Sequence, residues 1–152
     1  MTNQDIALVR QSHHQLLSRL DAIGRSFYER LFAEDPGLRE LFPSDLRRQQ
    51  LHFEAGLALI VRNIEAFDVI EPALMSLGAG HVAFGARPGD YVLARRALLE
   101  ALRAHADPPL TPEATRAWEM AITAILASML RGAAASTATA AEQLGREEAD
   151  PD

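Results

Sequence analysis

The chain contains no cysteine. This excludes a disulfide framework, a thiolate nucleophile, cysteine-ligated zinc and cysteine-ligated iron–sulfur clusters. The chain also lacks an uninterrupted apolar run of the roughly 20 residues that a membrane-spanning helix needs. Its N-terminus lacks the basic and then apolar pattern of a signal peptide. These absences predict a soluble cytoplasmic protein without a membrane partner.

Positive charge is scarce as well. Fifteen basic residues face 21 acidic ones, which gives a formal net charge of −6. Nucleic-acid binding requires clustered lysine or arginine, so the balance argues against a nucleic-acid partner. We interpret the pairs Arg47-Arg48 and Arg95-Arg96 as solvated helix faces. Much of the acidic excess lies in the segment after residue 131.

Helical periodicity dominates the sequence, and signals of β-strands are almost absent. With 152 residues, 48% of them apolar, the chain is long enough for one domain with a sizeable core. Apolar residues at three- and four-residue spacing predict an all-α fold. The predicted helices cover about 4–20, 21–33, 46–64, 68–81, 88–102 and 112–129, with a short segment at 36–42. The rest, 132–152, is rich in small and acidic residues and is predicted to be a disordered tail or a frayed helix, outside a domain of residues 1–131.

Proline and polar residues predict where several helices begin. Ser44 or Asp45 can cap the helix that starts at about 46, and Thr111 can cap the last helix. Pro88 suits the first turn of its helix, and Pro72 is expected in the first turn of the helix 68–81.

One histidine has a setting that suits ligand binding. His81 lies at the end of a predicted apolar helix, which Gly78 and Gly80 make less stable. A turn with Pro88 lies between His81 and Tyr91. Imidazole is the commonest metal ligand in proteins. A lone histidine in such a place is more often a packed or solvated residue at a helix end. Taken alone, His81 leaves both interpretations open.

Two further polar side chains lie among apolar neighbours. Tyr28 lies in the predicted helix 21–33, where a buried hydroxyl would need a hydrogen-bond partner. Gln49 lies one turn before Phe53, so both side chains project from the same side of the next long helix. A solvent-facing tyrosine tip and a surface glutamine are the simpler alternatives. The joint placement with His81 favours a common ligand space instead.

These residues form part of a longer set with a familiar order and spacing. The set comprises residues 26–32 with Pro36, residues 41–43, Gln49, residues 62–65, residues 80–91 and Ala117-Trp118. In this set the chain resembles a bacterial single-domain globin and is similar to the haem domain of flavohaemoglobins. The resemblance covers about residues 3–131, with a somewhat shortened link between Phe42 and Gln49.

The resemblance implies an all-α globin fold with haem b between distal and proximal helices. Tyr28 and Gln49 would be the distal hydrogen-bond donors, Phe42 the aromatic side chain against the haem, and Phe53 the distal apolar wall. Bound dioxygen gains partial negative charge, so two directed donors would strengthen its binding. Phe53 is bulkier than the leucine often found at its position, and it is expected to restrict ligand entry.

On the proximal side, the resemblance implies that His81 is the axial ligand of the haem iron. Tyr91 would pack beside His81 and influence its orientation. The family pattern adds a glutamate late in the last helix, and counting from Trp118 places that position at about Ala135. Without this carboxylate, the basicity of the histidine is expected to be lower.

The other histidines receive weaker assignments. His52 lies near the place where haem propionates usually emerge, so it is either a propionate contact or occasional iron ligand, or a solvated helix residue, which is favoured. His13, His14 and His105 lie outside the matching pattern and are interpreted as surface or packing residues.

Three functions remain open. The first is a globin that reversibly binds dioxygen, and also NO and CO, as a monomer or homodimer. The second is a nitric oxide dioxygenase that forms nitrate from NO and dioxygen with electrons from a separate reductase. The third, least favoured, is a haem-free all-α interaction module.

Overall fold

Six α-helices and three short 3-10 turns make up most of residues 1–149, the part of the chain that the computed structural model describes. The helices are α1 (Asn3–Leu16), α2 (Leu20–Glu34), α3 (Leu46–Arg62), α4 (Phe67–Ala83), α5 (Pro88–His105) and α6 (Pro112–Ala149). The 3-10 turns are Leu17–Arg19, Pro36–Leu41 and Ile64–Ala66. No strand occurs within the described range, and the predicted all-α class is confirmed.

Side-chain caps fix the start of several helices. The Asp45 carboxylate accepts from the Arg47 amide at 3.0 Å, so Asp45 rather than Ser44 caps α3. The Thr111 hydroxyl accepts from the Ala114 amide at 3.1 Å, as the sequence predicted. These bonds satisfy amide groups that have no partner within the first turn of a helix.

Pro72 departs from the prediction. Helix α4 begins at Phe67, so Pro72 is its sixth residue and lies inside the helix rather than in its first turn. Because proline has no amide hydrogen, the Asp68 carbonyl loses its usual intrahelical partner there. The helix nevertheless continues to Ala83, supported by its packing on α6.

The main core lies where α2 packs on α5 and where α1 and α5 pack on α6. Trp118 is fully buried there, and its indole Nε1 donates to the Ser12 hydroxyl at 2.8 Å. This bond satisfies the polar end of the largest side chain in the core.

A second cluster holds α4 against α6. It consists of Leu74, Tyr91, Ile125 and Met129. Between Ile64–Ala83 and Pro88–His105 the chain bends by 114°, and Gly85 in the intervening turn has a φ of +96°, which glycine adopts without strain. The bend carries Tyr91 back towards α4.

Helix α6 is longer than the sequence predicted. It continues through Ala149, and the side chains of residues 137–147 are exposed, whereas Gly132 and Ala133 are buried. Within the described residues, Pro112–Glu147 is long and apolar enough to cross a membrane by length and composition alone. The large apolar side chains of Trp118, Ile122 and Met129 are buried in the protein, which is typical of a core helix.

Helix α3 lies apart from the other helices on one side. It packs on α1 and α2, but it has no comparable packing against α4 or α5, all of which lie in the described range. Near the end of α3, Ile60 packs against the second cluster. The first turns of α3 therefore lack comparable packing from α4 or α5, and the open side of the molecule next to them is here called the cleft.

Candidate functional site

An aromatic group forms the α2–α3 wall of the cleft. The Tyr28 ring lies edge-on to the rings of Phe42 and Phe53, with centroid distances of 5.5 Å and 5.9 Å. Phe27 stacks on Phe53 at 4.6 Å, and Phe32 meets Phe42 at 5.4 Å. Edge-on and stacked rings fix one another's orientation. The structure thus brings together three of the residues that the sequence singled out.

Tyr28 carries the polar end of this wall. Burial raises the pKa of the phenol, and hydrogen bonding with the Gln49 side chain acts in the opposite direction. The phenol therefore stays protonated and can donate a hydrogen bond over the ordinary pH range. Gln49 is half-buried, so neither residue is the free surface side chain of the simpler alternative.

Arg39, which the sequence analysis did not identify, holds the loop that carries Phe42. Its guanidinium donates to the backbone carbonyls of Phe42 at 3.3 Å, Pro43 at 2.9 Å and Ser44 at 2.9 Å. It also lies over the Phe32 ring, 5.7 Å from the centroid. A surface arginine gives no sequence signal for such a role, because the carbonyls it binds are backbone groups.

On the opposite wall, His81 lies on an exposed face of α4. Leu77, His81 and Phe84 follow at helical spacing, and Leu77 and Phe84 are 44% and 77% exposed. The His81 Nδ1 lies 2.8 Å from the Leu77 carbonyl oxygen. Since a carbonyl can only accept, Nδ1 must carry the hydrogen. In a neutral imidazole with its hydrogen on Nδ1, the other nitrogen, Nε2, carries a lone pair that can bind a metal.

Tyr91 lies beside His81, as the sequence predicted, with ring centroids 6.4 Å apart. Burial, and more weakly the charge of Asp90, raises the pKa of Tyr91. Its hydroxyl is buried and has no hydrogen-bond partner within residues 1–149. The expected site of the proximal carboxylate, Ala135, is exposed, whereas Ala133, one turn after Met129, is buried. Neither position carries an acid.

A cavity of about 400 Å³ opens at the start of α3. It is lined by Pro43, Asp45, Arg48, Gln49 and His52. His52 is exposed here, so it lies next to Gln49 at the mouth of the cleft without being part of the aromatic wall.

The remaining histidines lie elsewhere. His13 is buried 6.5 Å from the Trp118 ring, His14 is exposed, and His105 is half-buried. Within residues 1–149 no group of three or more His, Cys, Asp or Glu side chains could hold a metal ion. A metal at His81 would therefore have this histidine as its one such protein ligand among the described residues, which would suit an iron held mainly by a macrocycle.

The all-α architecture of the described residues is that of a globin. A model of the globin family matches residues 25–129, more than half of the chain, and the chain therefore belongs to this family. A flavohemoprotein from Vibrio cholerae is 25% identical over 124 residues, which cover 80% of this chain and 32% of that protein. The chain thus spans about a third of the length of this relative.

Solved structures agree on the fold. An engineered carbene transferase from Rhodothermus marinus, named as a proposed nitric oxide dioxygenase, matches with a TM-score of 0.82 and 24% identity. The match covers 93% of this chain and 99% of that one. A bacterial globin from Campylobacter jejuni matches with a TM-score of 0.76 and 18% identity, over 87% of this chain and 96% of that one.

Membership of the globin family implies haem binding, and the residues of the cleft fit this group. Leu77 and Phe84 expose apolar surface on the same face of α4 as His81, which a flat apolar macrocycle would cover. The histidine tautomer leaves Nε2 free for iron. On the opposite wall, Phe42 and Phe53 supply further apolar surface, and Tyr28 supplies a protonated hydroxyl.

Proposed function

We propose that this globin binds dioxygen reversibly at a haem b held by His81, with Tyr28 and Gln49 as hydrogen-bond donors to the gas. The observation that carries the proposal is the Tyr28 phenol, whose ring is buried edge-on to Phe42 and Phe53 and whose pKa is raised by burial, so that it stays protonated and can donate a hydrogen bond. When bound, the haem iron supplies reversible coordination of a diatomic gas. The protein supplies the ligand on one side and the donors on the other.

The distal donors favour a gas that accepts hydrogen bonds. Dioxygen held at a haem iron would accept hydrogen bonds, whereas CO would gain much less negative charge, so donors at Tyr28 and Gln49 would favour dioxygen. Each neutral donor is worth about 1 kcal/mol, and more where water is excluded. The aromatic wall provides such an environment around Tyr28.

The proximal side supports binding over oxygen activation. In the described residues the His81 Nδ1 has one hydrogen-bond partner, the Leu77 carbonyl, and the Tyr91 hydroxyl has no hydrogen-bond partner, so no carboxylate accepts from either group. A carboxylate partner would make the imidazole more electron-donating, and a backbone carbonyl does this less strongly. The protein therefore does little to increase electron donation from the His81 imidazole, and such donation is what favours cleavage of an O–O bond.

Nitric oxide dioxygenation is the second candidate. The likeness to a flavohemoprotein and to a structure named as a proposed nitric oxide dioxygenase favours it. Both functions use the same distal donors, Tyr28 and Gln49, and dioxygenation additionally requires a separate reductase to return the iron to the ferrous state. CO and NO are expected as further ligands in either case.

Absorption spectra of the purified protein test haem binding. We expect a Soret band that shifts on reduction and again on addition of CO, and we expect His81→Ala to lose most of the haem. Absence of a Soret band after reconstitution would contradict both haem functions and favour a haem-free module. Unchanged haem content in His81→Ala would overturn the proximal assignment.

Steady consumption of NO then separates binding from dioxygenation. We expect the oxygenated protein to react once with NO, since most oxygenated globins do so, but to turn over slowly with a supplied reductase and NADH. Sustained rapid turnover under these conditions would support the enzyme instead. His14→Gln, an exposed histidine substitution outside the cleft, serves as the control in both experiments.

A further inference from the structure

We propose that Gly78 and Gly132 set the position of His81 by allowing the backbones of α4 and α6 to touch. The inference rests on the proposed haem function. It concerns a close crossing of the two helices at which both contact points are glycines. The two glycines act on the site through the histidine and are therefore positioning residues.

The contact is reciprocal and involves backbone on both sides. A Cβ atom added at Gly78 would overlap the carbonyl group of Met129, and one added at Gly132 would overlap the carbonyl group of Met75. A flexible side chain can turn away from an added methyl group, but a helical carbonyl cannot. Any larger residue at either glycine must therefore move one helix away from the other.

This contact is connected to His81 in two ways. Gly78 precedes the histidine by one helical turn, so a shift of α4 at Gly78 moves the imidazole. In addition, the carbonyl that accepts from the His81 Nδ1 belongs to the peptide bond between Leu77 and Gly78. The crossing therefore fixes both the base of the side chain and the group that orients its ring.

The same crossing positions Tyr91. Met129, whose carbonyl group meets Gly78, packs with Tyr91 and Leu74 in the second cluster. Tyr91 in turn lies 6.4 Å from His81, measured between ring centroids. Displacement of α4 would therefore change the packing on both sides of the imidazole.

Gly80 provides a matched control in the same helix. It lies two residues from Gly78 and next to His81, but a Cβ atom there would have nothing within 4 Å. A substitution at Gly80 raises helix propensity as one at Gly78 would. Only the substitution at Gly78 pushes against α6.

The test compares Gly78→Ala, Gly132→Ala and Gly80→Ala in the haem-loaded protein. Two measurements are made: the iron–histidine stretching band of the ferrous protein by resonance Raman spectroscopy, and the rate of haem transfer to an excess of apomyoglobin. We expect both contact variants to shift the band and to lose haem about tenfold faster or more. Gly80→Ala should leave both unchanged. Wild-type behaviour of Gly78→Ala and Gly132→Ala would overturn the inference while leaving haem binding intact.

Far-UV circular dichroism of the apoproteins shows whether each variant folds. If Gly78→Ala does not fold, the double variant Gly78→Ala/Gly80→Ala replaces it, because the second alanine stabilises α4. We expect the double variant to show the shifted band as well. A folded double variant with the wild-type band would overturn the inference.

Imidazole added in solution is not attached to α4. It can therefore distinguish an effect of Gly78 on the position of His81 from a general effect on the pocket. In His81→Gly, added imidazole can occupy the place of the side chain. We expect Gly78→Ala to leave the iron–imidazole band unchanged in this background, because the tether is gone. An equal shift with and without the tether would show that the glycine does not act through His81.

Discussion

Among single residues, Tyr28 makes the most specific contribution to the proposed function. Its side chain is buried and its pKa is raised by burial, so the phenol stays protonated and can donate to dioxygen. Tyr28→Phe removes the donor and keeps the ring that packs on Phe42 and Phe53. We expect the dioxygen dissociation rate to rise about fivefold or more, which corresponds to the loss of about 1 kcal/mol. Stopped-flow displacement of dioxygen by CO measures this rate.

Tyr91→Phe is the matched control for this prediction. It also removes a buried hydroxyl from a tyrosine near the cleft, but that hydroxyl lies on the proximal side and has no partner in the described residues. We expect a much smaller change in the dioxygen dissociation rate. Equal effects of the two variants would show that Tyr28 is not a donor to the gas.

His13 gives a residue-level prediction about pH. Burial, with a smaller effect of the charge on His14, lowers the pKa of His13 from its ordinary value of 6.5. Its Nε2 is buried and has no hydrogen-bond partner within residues 1–149. As the pH falls below about 6.5, the unfolded chain takes up a proton at this site before the folded protein does. The free energy of unfolding should therefore decrease over this range.

Urea denaturation at pH 7.5 and pH 5.5 measures that decrease. We expect the wild-type protein to lose more stability between the two values than His13→Gln, which cannot titrate there. His14→Gln should keep most of the wild-type decrease, because burial of His13 is the larger cause of its lowered pKa and the charge of His14 the smaller one. If His13→Gln shows the same pH dependence as the wild type, the buried histidine is not the source.

Some residues of the site can be recognised from a local sequence pattern, and others cannot. Tyr28 and His81 stand out because they are polar residues on apolar helix faces, and the structure buries Tyr28 among aromatic rings and leaves His81 on an exposed face of α4. Gly78 and Gly80 look alike in the sequence, where both merely weaken a helix. The structure separates them, since Gly78 meets the Met129 backbone and Gly80 faces open space. Contacts between distant backbones leave no local pattern.

At the level of elements, the loop after the Pro36–Leu41 turn carries Phe42 without regular structure of its own. Arg39 ties this loop together through three backbone carbonyls. Arg39→Met keeps the apolar stem of the side chain but removes the donors. We expect a loss of about 1 kcal/mol of stability and faster haem loss, because Phe42 is no longer held in place. Thermal unfolding and haem transfer to apomyoglobin measure the two effects.

Arg47→Met is the control for the Arg39 substitution. Arg47 is exposed on the first turn of α3, and its guanidinium has no ion pair within the described part of the chain. Surface substitutions of this kind usually change stability by less than about 0.5 kcal/mol. If the two variants behave alike, the hydrogen bonds of Arg39 do not hold the loop.

For the whole molecule, the sequence predicted the order and type of the helices and several of their starts, but not their packing partners. Trp118 indicated the core side of α6 correctly, because apolar spacing shows which face of a helix is buried. For residues after 131 the sequence left a disordered tail and a frayed helix open, because alanine, serine and threonine fit a helix without forming an apolar face. Helix α4 begins one residue before the predicted start, and only the expectation that Pro72 lies in its first turn was wrong.

The far end of α6 gives a prediction for the whole molecule. Gly132 and Ala133 are buried and Arg131 pairs with Glu71, whereas residues 137–147 are exposed. Ending the chain after Thr137 should therefore change the free energy of unfolding by less than about 0.5 kcal/mol and leave haem affinity unchanged. Ending it after Leu130 should cost more than about 2 kcal/mol, because the contact of Gly132 with the Met75 backbone, the buried Ala133 and the Arg131–Glu71 pair are all removed. Circular dichroism melts and haem titration of both truncated chains measure this difference, and equal losses would place the end of the packed domain beyond Thr137.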